Sequence, residues 1–268
     1  SFLKWAGGKS KLIRPITQLM KEERPFGIDW SVRSNQNYFE PFMGSATVFL
    51  GLKDAGLIED GAGVTLSDIN PLLVLAMRTL QKNDDAEAVI ETLEEMEREF
   101  DEQGKDYYYS VRKEMNQELL SGKFEGNIVS TARMIFINKT CFNGLWRVNR
   151  KGEFNVPLGR TSNGSKRSIV QPMRLRSFQN NVSGAKISCS NWKDTLDAAQ
   201  SGDLVYVDPP YLPIKDDEYV FTDYSKDGFT IDDHRDLASA CIRAASRGVR
   251  VIISNNDSER LENSLFSA

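Results

Sequence analysis

Hydrophobic positions along the chain follow two periods. Short apolar runs of strand character lie at 37–40 (Asn-Tyr-Phe-Glu), 64–68 (Val-Thr-Leu-Ser-Asp), 185–188, 204–207 (Leu-Val-Tyr-Val) and 249–254. Between them, helical spacing predicts helices over 9–24 (after a Gly-Gly turn), 46–53, 71–81, 192–199 and 232–247. Strands alternating with helices at both ends of the chain imply a parallel α/β sheet. From 85 to 140 only the helical period appears. It predicts an acidic helix with Val89, Ile90, Leu93, Met96 and Phe100 on one face, a second around 107–120 and a third from 128 to 138. We therefore expect a discontinuous sheet domain, 1–83 with 177–268, interrupted by an insert at 84–176.

Composition narrows the class. A chain of 268 residues, 40% hydrophobic and 27% charged with a net charge of −4, is long enough to bury a core as one large domain or two small ones. A disordered chain, a collagen and a coiled coil are excluded. No apolar run approaches the about 20 residues of a membrane helix, and no secretory signal opens the chain. A cytoplasmic location without membrane association is expected. His234 is the single histidine, and the cysteines are Cys141, Cys189 and Cys241, with no CxxC or HxxxH spacing. A metal site is not expected. A serine-hydrolase triad would have to use His234 without a GxSxG elbow. The cysteines read as free thiols packed as small residues in a reducing compartment.

Charge is segregated. Residues 84–106 hold eleven Asp and Glu against two Lys and Arg, which fits a solvated helix face. Residues 133–176 hold ten Lys and Arg against one acid, Glu153, interleaved with Asn, Gly and the aromatics Phe142, Trp146 and Phe154. A positive segment of this kind in an acidic chain suits a polyanion such as nucleic acid, although a solvated basic loop would have the same composition.

Two strand ends carry chemistry. Phe39-Glu40-Pro41-Phe42-Met43-Gly44-Ser45 is followed by Asp68 at the end of the next strand. Strand, glycine turn, helix and a strand-end acid form the general nucleotide-binding arrangement, with the acid on ribose hydroxyls. A single glycine does not make the dinucleotide fingerprint, and the same Asp could simply cap a turn. Asp208-Pro209-Pro210-Tyr211 follows the buried run 204–207. Two prolines fix the backbone and remove N–H donors, leaving carbonyls outward beside a carboxylate and a ring. Such an array suits an amine held flat against an aromatic face.

Taken in order, these stretches resemble the DNA adenine methyltransferases, in particular the Dam-like, GATC-methylating group of the alpha class. The resemblance rests on Phe2-Leu3-Lys4-Trp5-Ala6-Gly7-Gly8-Lys9, the turn at 39–44, Ser67-Asp68-Ile69-Asn70 and Asp208–Tyr211. It also rests on Phe142-Asn143-Gly144-Leu145-Trp146-Arg147-Val148-Asn149 and Gly152-Glu153-Phe154-Asn155-Val156-Pro157-Leu158-Gly159-Arg160. It implies a Rossmann-like methyltransferase sheet with a helical target-recognition insert, S-adenosylmethionine as cofactor and double-stranded DNA as partner. The Met-Gly-Ser of the turn departs from the group, which usually has further glycines there, and the resemblance implies a further strand pair beyond Ala268.

The same resemblance implies roles. Asp208, the Pro209 carbonyl and Tyr211 hold the amine of a flipped adenine. Trp5, Lys9, Phe39, Glu40, Phe42 and Asp68 contact the cofactor, Asp208 lies beside it, and Asn191 and Trp192 bracket its adenine; Trp192 could equally be core. Lys4, Asn143, Leu145, Arg147, Asn155, Pro157 and Arg160 face DNA, and Phe142 wedges into the base stack. Lys166 and Arg167 lie in a Ser/Gly-rich stretch with no base-reading counterpart and are expected on phosphates. Two other classes stay open. One is an amine methyltransferase acting on cytosine, RNA or a protein glutamine, which usually has Ser or Asn before Pro-Pro. The other is a catalytically silent DNA-binding module.

Overall fold

The computed structural model describes residues 2–5, 8–124, 126–160, 167–211 and 229–256. Its strands are β1 (Asn37–Glu40), β2 (Gly63–Asp68), β3 (Lys186–Cys189), β4 (Leu204–Val207) and β5 (Arg250–Ile253). The α-helices are α1 (Ile13–Gln18), α2 (Thr47–Asp54), α3 (Pro71–Gln81), α4 (Asn83–Gln103), α5 (Lys105–Ser121), α6 (Asn127–Thr140), α7 (Pro172–Val182), α8 (Trp192–Ala198) and α9 (Ile231–Ser246). The chain divides into two compact units: Ser1–Gly8 with Asn70–Ser183, and Lys9–Ile69 with Gly184–Ala268. Among the described residues no helix is long and apolar enough to cross a membrane.

The second unit is built on a five-stranded sheet in the order β3-β2-β1-β4-β5, every pair parallel. All four residues of β4 are buried, as expected of a parallel strand covered on both faces. Leu196, Val205, Val207, Leu237 and Ala244 pack together, which seats α8 and α9 on the sheet. Asp203 fastens the start of β4 to the start of β1: its carboxylate accepts from the Asn37 backbone N–H (2.8 Å), the Asn37 side chain (3.0 Å) and the Gln200 N–H (2.9 Å).

The first unit is helical. In α6 every residue from Ser130 to Thr140 is buried, with α3, α4 and α5 packed around it. The buried Arg133 guanidinium meets Glu118 (3.1 Å) and Glu114 (2.8 Å), and the Ser130 hydroxyl donates to Glu118 (2.6 Å).

Three expectations need correction. The helix expected over 9–24 is shorter: α1 starts at Ile13, continues as a π turn over Leu19–Glu23, and stops where Arg24 turns left-handed (φ 40°) before Pro25. Pro15 is tolerated because it falls in the first turn, where no intrahelical donor is needed. Helix α7 was not expected, although Pro172 at its start and buried Leu175, Phe178 and Val182 on one face are the signal for it. The helical unit also begins at Asn70 and takes in residues 1–8, not 84–176 alone. The reason is packing: α3 lies on α4, α6 and α7, and Phe2 meets Phe178 edge-on at 4.8 Å.

Replacing Asp203 with Ala should lower unfolding free energy by about 1.5–3 kcal/mol, the range for hydrogen bonds to a charged group. A lower urea midpoint with an unchanged slope is the expected result.

Candidate active site

In an open parallel sheet, ligands bind beyond the carboxyl ends of the strands where the strand order reverses. Here that point is β1, flanked by β2 on one side and β4 on the other. The turn leaving β1 is tight. Met43 N–H donates to the Ser67 carbonyl (2.9 Å) and Ala46 N–H to the Met43 carbonyl (2.6 Å). Gly44 (φ 46°) and Ala46 (φ 51°) are both left-handed. For alanine that costs about 1–2 kcal/mol, strain of the kind that collects at functional turns. The Gly44 N–H points at Asp68 Oδ2 (3.1 Å), so the acid ending β2 is tied to the turn ending β1.

The end of β4 carries the densest chemistry. The buried Lys9 ammonium lies 2.5 Å from Asp208 Oδ2 and 4.8 Å from the centre of the Tyr211 ring. The Tyr211 hydroxyl donates to Asp208 Oδ1 (3.1 Å) and lies 3.0 Å from the Ser254 hydroxyl just past β5. Burial raises the Asp208 carboxyl, and Lys9 and Tyr211 oppose that rise. Burial also works against the Lys9 charge, but Asp208 outweighs it and the ammonium is held above its ordinary value. Nearby Glu40 is buried and accepts from the Tyr38 hydroxyl (2.7 Å) and the Phe49 N–H (3.1 Å). Burial first, with the Asp208 charge adding to it, pushes Glu40 up to about 8.

The backbone carbonyls of the motif do not all point outward as expected. The buried ring of His234, on α9, hydrogen-bonds the Pro210 carbonyl, and burial lowers its pKa. Ser254 and His234 were not among the expected site residues. Ser254 follows β5 at the strand end, a position the strand-end rule singles out, whereas nothing local in the sequence connects His234 with Pro210.

Other expected residues fall into place around β1 and β2. Phe39 is buried inside β1. Phe42 stacks on Trp192 (6.5 Å, 24° between planes) and meets Phe229 edge-on. Trp192 is 8% exposed and belongs to the core cluster, so one ring serves core and site edge together. Asn191 caps α8 by accepting from the Lys193 N–H (2.9 Å). Of the cysteines, Cys141 and Cys241 are buried, whereas Cys189 is exposed and departs from the expected packing role because it ends β3, at the edge of the sheet among the described residues.

The helical unit gathers the expected DNA-facing residues. The Asn138 side chain bridges the Lys4 N–H (2.8 Å), the Lys4 carbonyl (2.8 Å) and the Gly144 carbonyl (3.2 Å). Gly144 is left-handed (φ 65°), and a Cβ there would collide with the Lys4 backbone. The exposed Lys4 ammonium reaches the Lys139 carbonyl (3.3 Å), and Trp5 stacks on Trp146 at 6.1 Å. Phe142 is 47% exposed on a tight turn with left-handed Asn143, and its N–H donates to the Pro157 carbonyl (2.9 Å). Pro157 and Arg160 are exposed and Leu145 is half-buried. Arg147 Nε donates to Asn155 Oδ1 (2.7 Å).

Arg167 corrects an expectation. Its fork donates to the Thr140 and Gly159 carbonyls and its guanidinium lies 5.8 Å from the Phe100 ring centre, so it clasps the loop instead of meeting phosphate. Lys166 lies outside the described residues.

Glu40 generates a pH prediction. Its folded pKa near 8 exceeds the ordinary 4.5, so the folded state holds a proton that the unfolded state releases between those values. Stability linked to Glu40 is therefore complete below about pH 4.5 and declines, by up to about 1.4 kcal/mol per pH unit, until about pH 8. Glu40→Gln cannot ionise. Its unfolding free energy relative to wild type should rise between pH 5 and 8; a constant difference would contradict the burial argument.

Residues 5–268 match the family model described as D12 class N6 adenine-specific DNA methyltransferase. The chain is 33% identical over 259 residues to the Type II methyltransferase M.MjaIII of Methanocaldococcus jannaschii, covering 95% of this chain and 83% of that protein. It is 32% identical over 260 residues to a DNA adenine methylase of Vibrio cholerae, covering 96% and 81%. It is also 32% identical over 263 residues to the Type II methyltransferase M1.LlaDCHI of Lactococcus lactis, covering 97% and 82%. With the parallel sheet, the carboxylate that follows its buried strand β4 and a match over nearly the whole length, the chain belongs to the D12 class of N6 adenine-specific DNA methyltransferases.

Proposed function

We propose that this enzyme transfers a methyl group from S-adenosylmethionine to the N6 amine of an adenine swung out of double-stranded DNA, within GATC. The observation that carries the reading is the Lys9 ammonium on Asp208 and over Tyr211. A nitrogen rich in N–H donors already rests on one carboxylate oxygen above an aromatic face, which is what an exocyclic amine on a stacked base requires.

The donor set near the ends of β1 and β2 suits the cofactor. Asp68 offers a carboxylate to ribose hydroxyls, Phe42 and Trp192 offer apolar ring surface, and Lys9 offers an ammonium and Glu40 a hydrogen-bonding carboxyl to an amino acid moiety. Phe39 and Asn191 complete the set at the sheet, and Trp5 of the helical unit is kept as a proposed cofactor contact. When bound, the cofactor supplies an electrophilic methyl on a sulfonium, so the reaction needs no metal and no covalent nucleophile.

The chain's own residues then orient the amine. An adenine amine is inaccessible inside a duplex, so the base is extruded. Lys9 yields Asp208 to the incoming amine. Asp208 and the Pro209 carbonyl accept its two hydrogens and aim the nitrogen lone pair, while Tyr211 stacks on the ring. Alignment of bound reactants is worth about 7–11 kcal/mol of barrier. As the N–C bond forms and the methyl–sulfur bond breaks, Asp208 stabilises the positive charge on nitrogen, which is discharged when one amine proton leaves to solvent. On the DNA side, Lys4, Asn143, Leu145, Arg147, Pro157 and Arg160 make the contacts with bases and phosphates, Asn155 stands beside Arg147 among them, and Phe142 fills the gap in the stack.

Labelled cofactor incubated with GATC-containing and GATC-free duplexes tests the reading: label should enter only the former, on adenine N6. Asp208→Ala should keep cofactor and DNA binding and lose turnover by about 10²–10³-fold; turnover within about threefold of wild type would exclude the assigned role. Asp68→Ala should weaken cofactor binding, read by calorimetry without DNA, by about 1.5–3 kcal/mol. Unchanged affinity would move the ribose site elsewhere.

A further inference from the structure

We infer that Asn155 is a positioning residue, which holds the Arg147 guanidinium by its Nε and aims the two terminal nitrogens at the target sequence, and that it reads no base itself. The inference rests on the proposed role of Arg147 in reading DNA.

Arg147 and Asn155 face each other across a short antiparallel hairpin. The Asn155 N–H donates to the Arg147 carbonyl (3.1 Å), Val148 bridges Phe154, and the Asn149 N–H donates to the Glu153 carbonyl (2.8 Å). The hairpin is closed at its tip by the Asn149 side-chain oxygen, which accepts from the N–H groups of Lys151 (2.9 Å) and Glu153 (3.1 Å). Its base is pinned to α5. Asn116 takes both the N–H (2.7 Å) and the carbonyl (3.0 Å) of Phe154, and the Val156 carbonyl accepts from Tyr108 (2.9 Å) and Arg112 (3.0 Å). Phe154 and Val156 are buried, so the hairpin has little freedom to rock.

On that platform Asn155 Oδ1 takes the Arg147 Nε at 2.7 Å. Among the described residues the terminal nitrogens of Arg147 meet no acceptor, and the side chain is half-exposed. A guanidinium held at Nε presents its terminal pair end-on, the geometry that matches the O6 and N7 acceptors of guanine. Holding it beforehand removes rotamer freedom that would otherwise be lost on binding. Bidentate reading of adenine needs the Asn155 amide oxygen and nitrogen together on one base edge, and here that oxygen is already engaged by the Arg147 Nε.

The experiment begins by sequencing the methylated sites, so it does not depend on the site being GATC. kcat/KM is then measured on that site and on every single-base variant of it, for wild type, Arg147→Ala, Asn155→Ala, Asn155→Asp and the double alanine variant. Discrimination by Arg147→Ala and Asn155→Ala should fall by about fivefold or more at the same base position. Asn155→Asp should retain it, because a carboxylate still accepts from Nε. The double variant should match Arg147→Ala within about twofold. Equal loss on all sequences by Asn155→Ala, with a salt slope lowered by about one, would make Asn155 a phosphate contact and overturn the inference. A double variant clearly less selective than Arg147→Ala would overturn it in favour of independent base reading. Undiminished discrimination by Arg147→Ala would overturn the role given to Arg147, and that arm separates the two failures.

Discussion

A parallel strand buried on both faces offers solvent only its ends, and β4 is such a strand. Its pairing with β1 puts two carboxyl ends side by side where the strand order reverses. Whatever follows Val207 must therefore stand beside whatever follows Glu40. Asp208 and the Pro41–Ser45 turn occupy those two positions. Asp203 at the opposite end of β4 holds this register, so a carboxylate far from the chemistry helps to set where the catalytic one sits.

That placement concentrates ionisable groups in a buried space, and their charges have to be balanced. Two carboxylates, Glu40 and Asp208, share one ammonium from Lys9. The arrangement resolves this by proximity. Lys9 touches Asp208 directly, so Asp208 can stay ionised beside it, whereas Glu40 is raised to about 8 and carries its proton at neutral pH. Hydrogen bonds from Tyr38 and Phe49 stabilise the ionised form of Glu40, but burial outweighs them. The result is a site close to neutral that still presents a carboxylate able to accept hydrogen bonds from an amine.

The helical unit solves a different problem. Its basic segment would be repelled from a low-dielectric interior and would fray in water without anchors. Buried and half-buried side chains supply them. Asn138 fixes the Lys4 and Gly144 backbones, Arg167 clasps the carbonyls at Thr140 and Gly159, and Asn116 with Tyr108 and Arg112 roots the 147–155 hairpin on α5. Each anchor turns a flexible polar loop into a surface of defined shape, which reading a base sequence needs and general attraction to phosphate does not.

Periodicity alone determined the strands, most of the helices and the parallel α/β class, because strand and helix spacing are local properties of which residues are apolar. The motifs likewise marked Asp208–Tyr211 and the 39–44 turn, because proline and glycine restrict or free the backbone wherever they occur. Tertiary structure alone decided which polar groups became partners. No sequence spacing ties Lys9 to Asp208, 199 residues away. Nor does any tie Ser254 to Tyr211 or His234 to Pro210, since those contacts arise only once β5 pairs with β4 and α9 packs on the sheet. Arg167 and Arg147 look alike in sequence, as two cations in one positive segment. One is enclosed by carbonyls and the other is held by Asn155 toward solvent, because the surrounding fold, which composition does not encode, sets the acceptors each guanidinium meets.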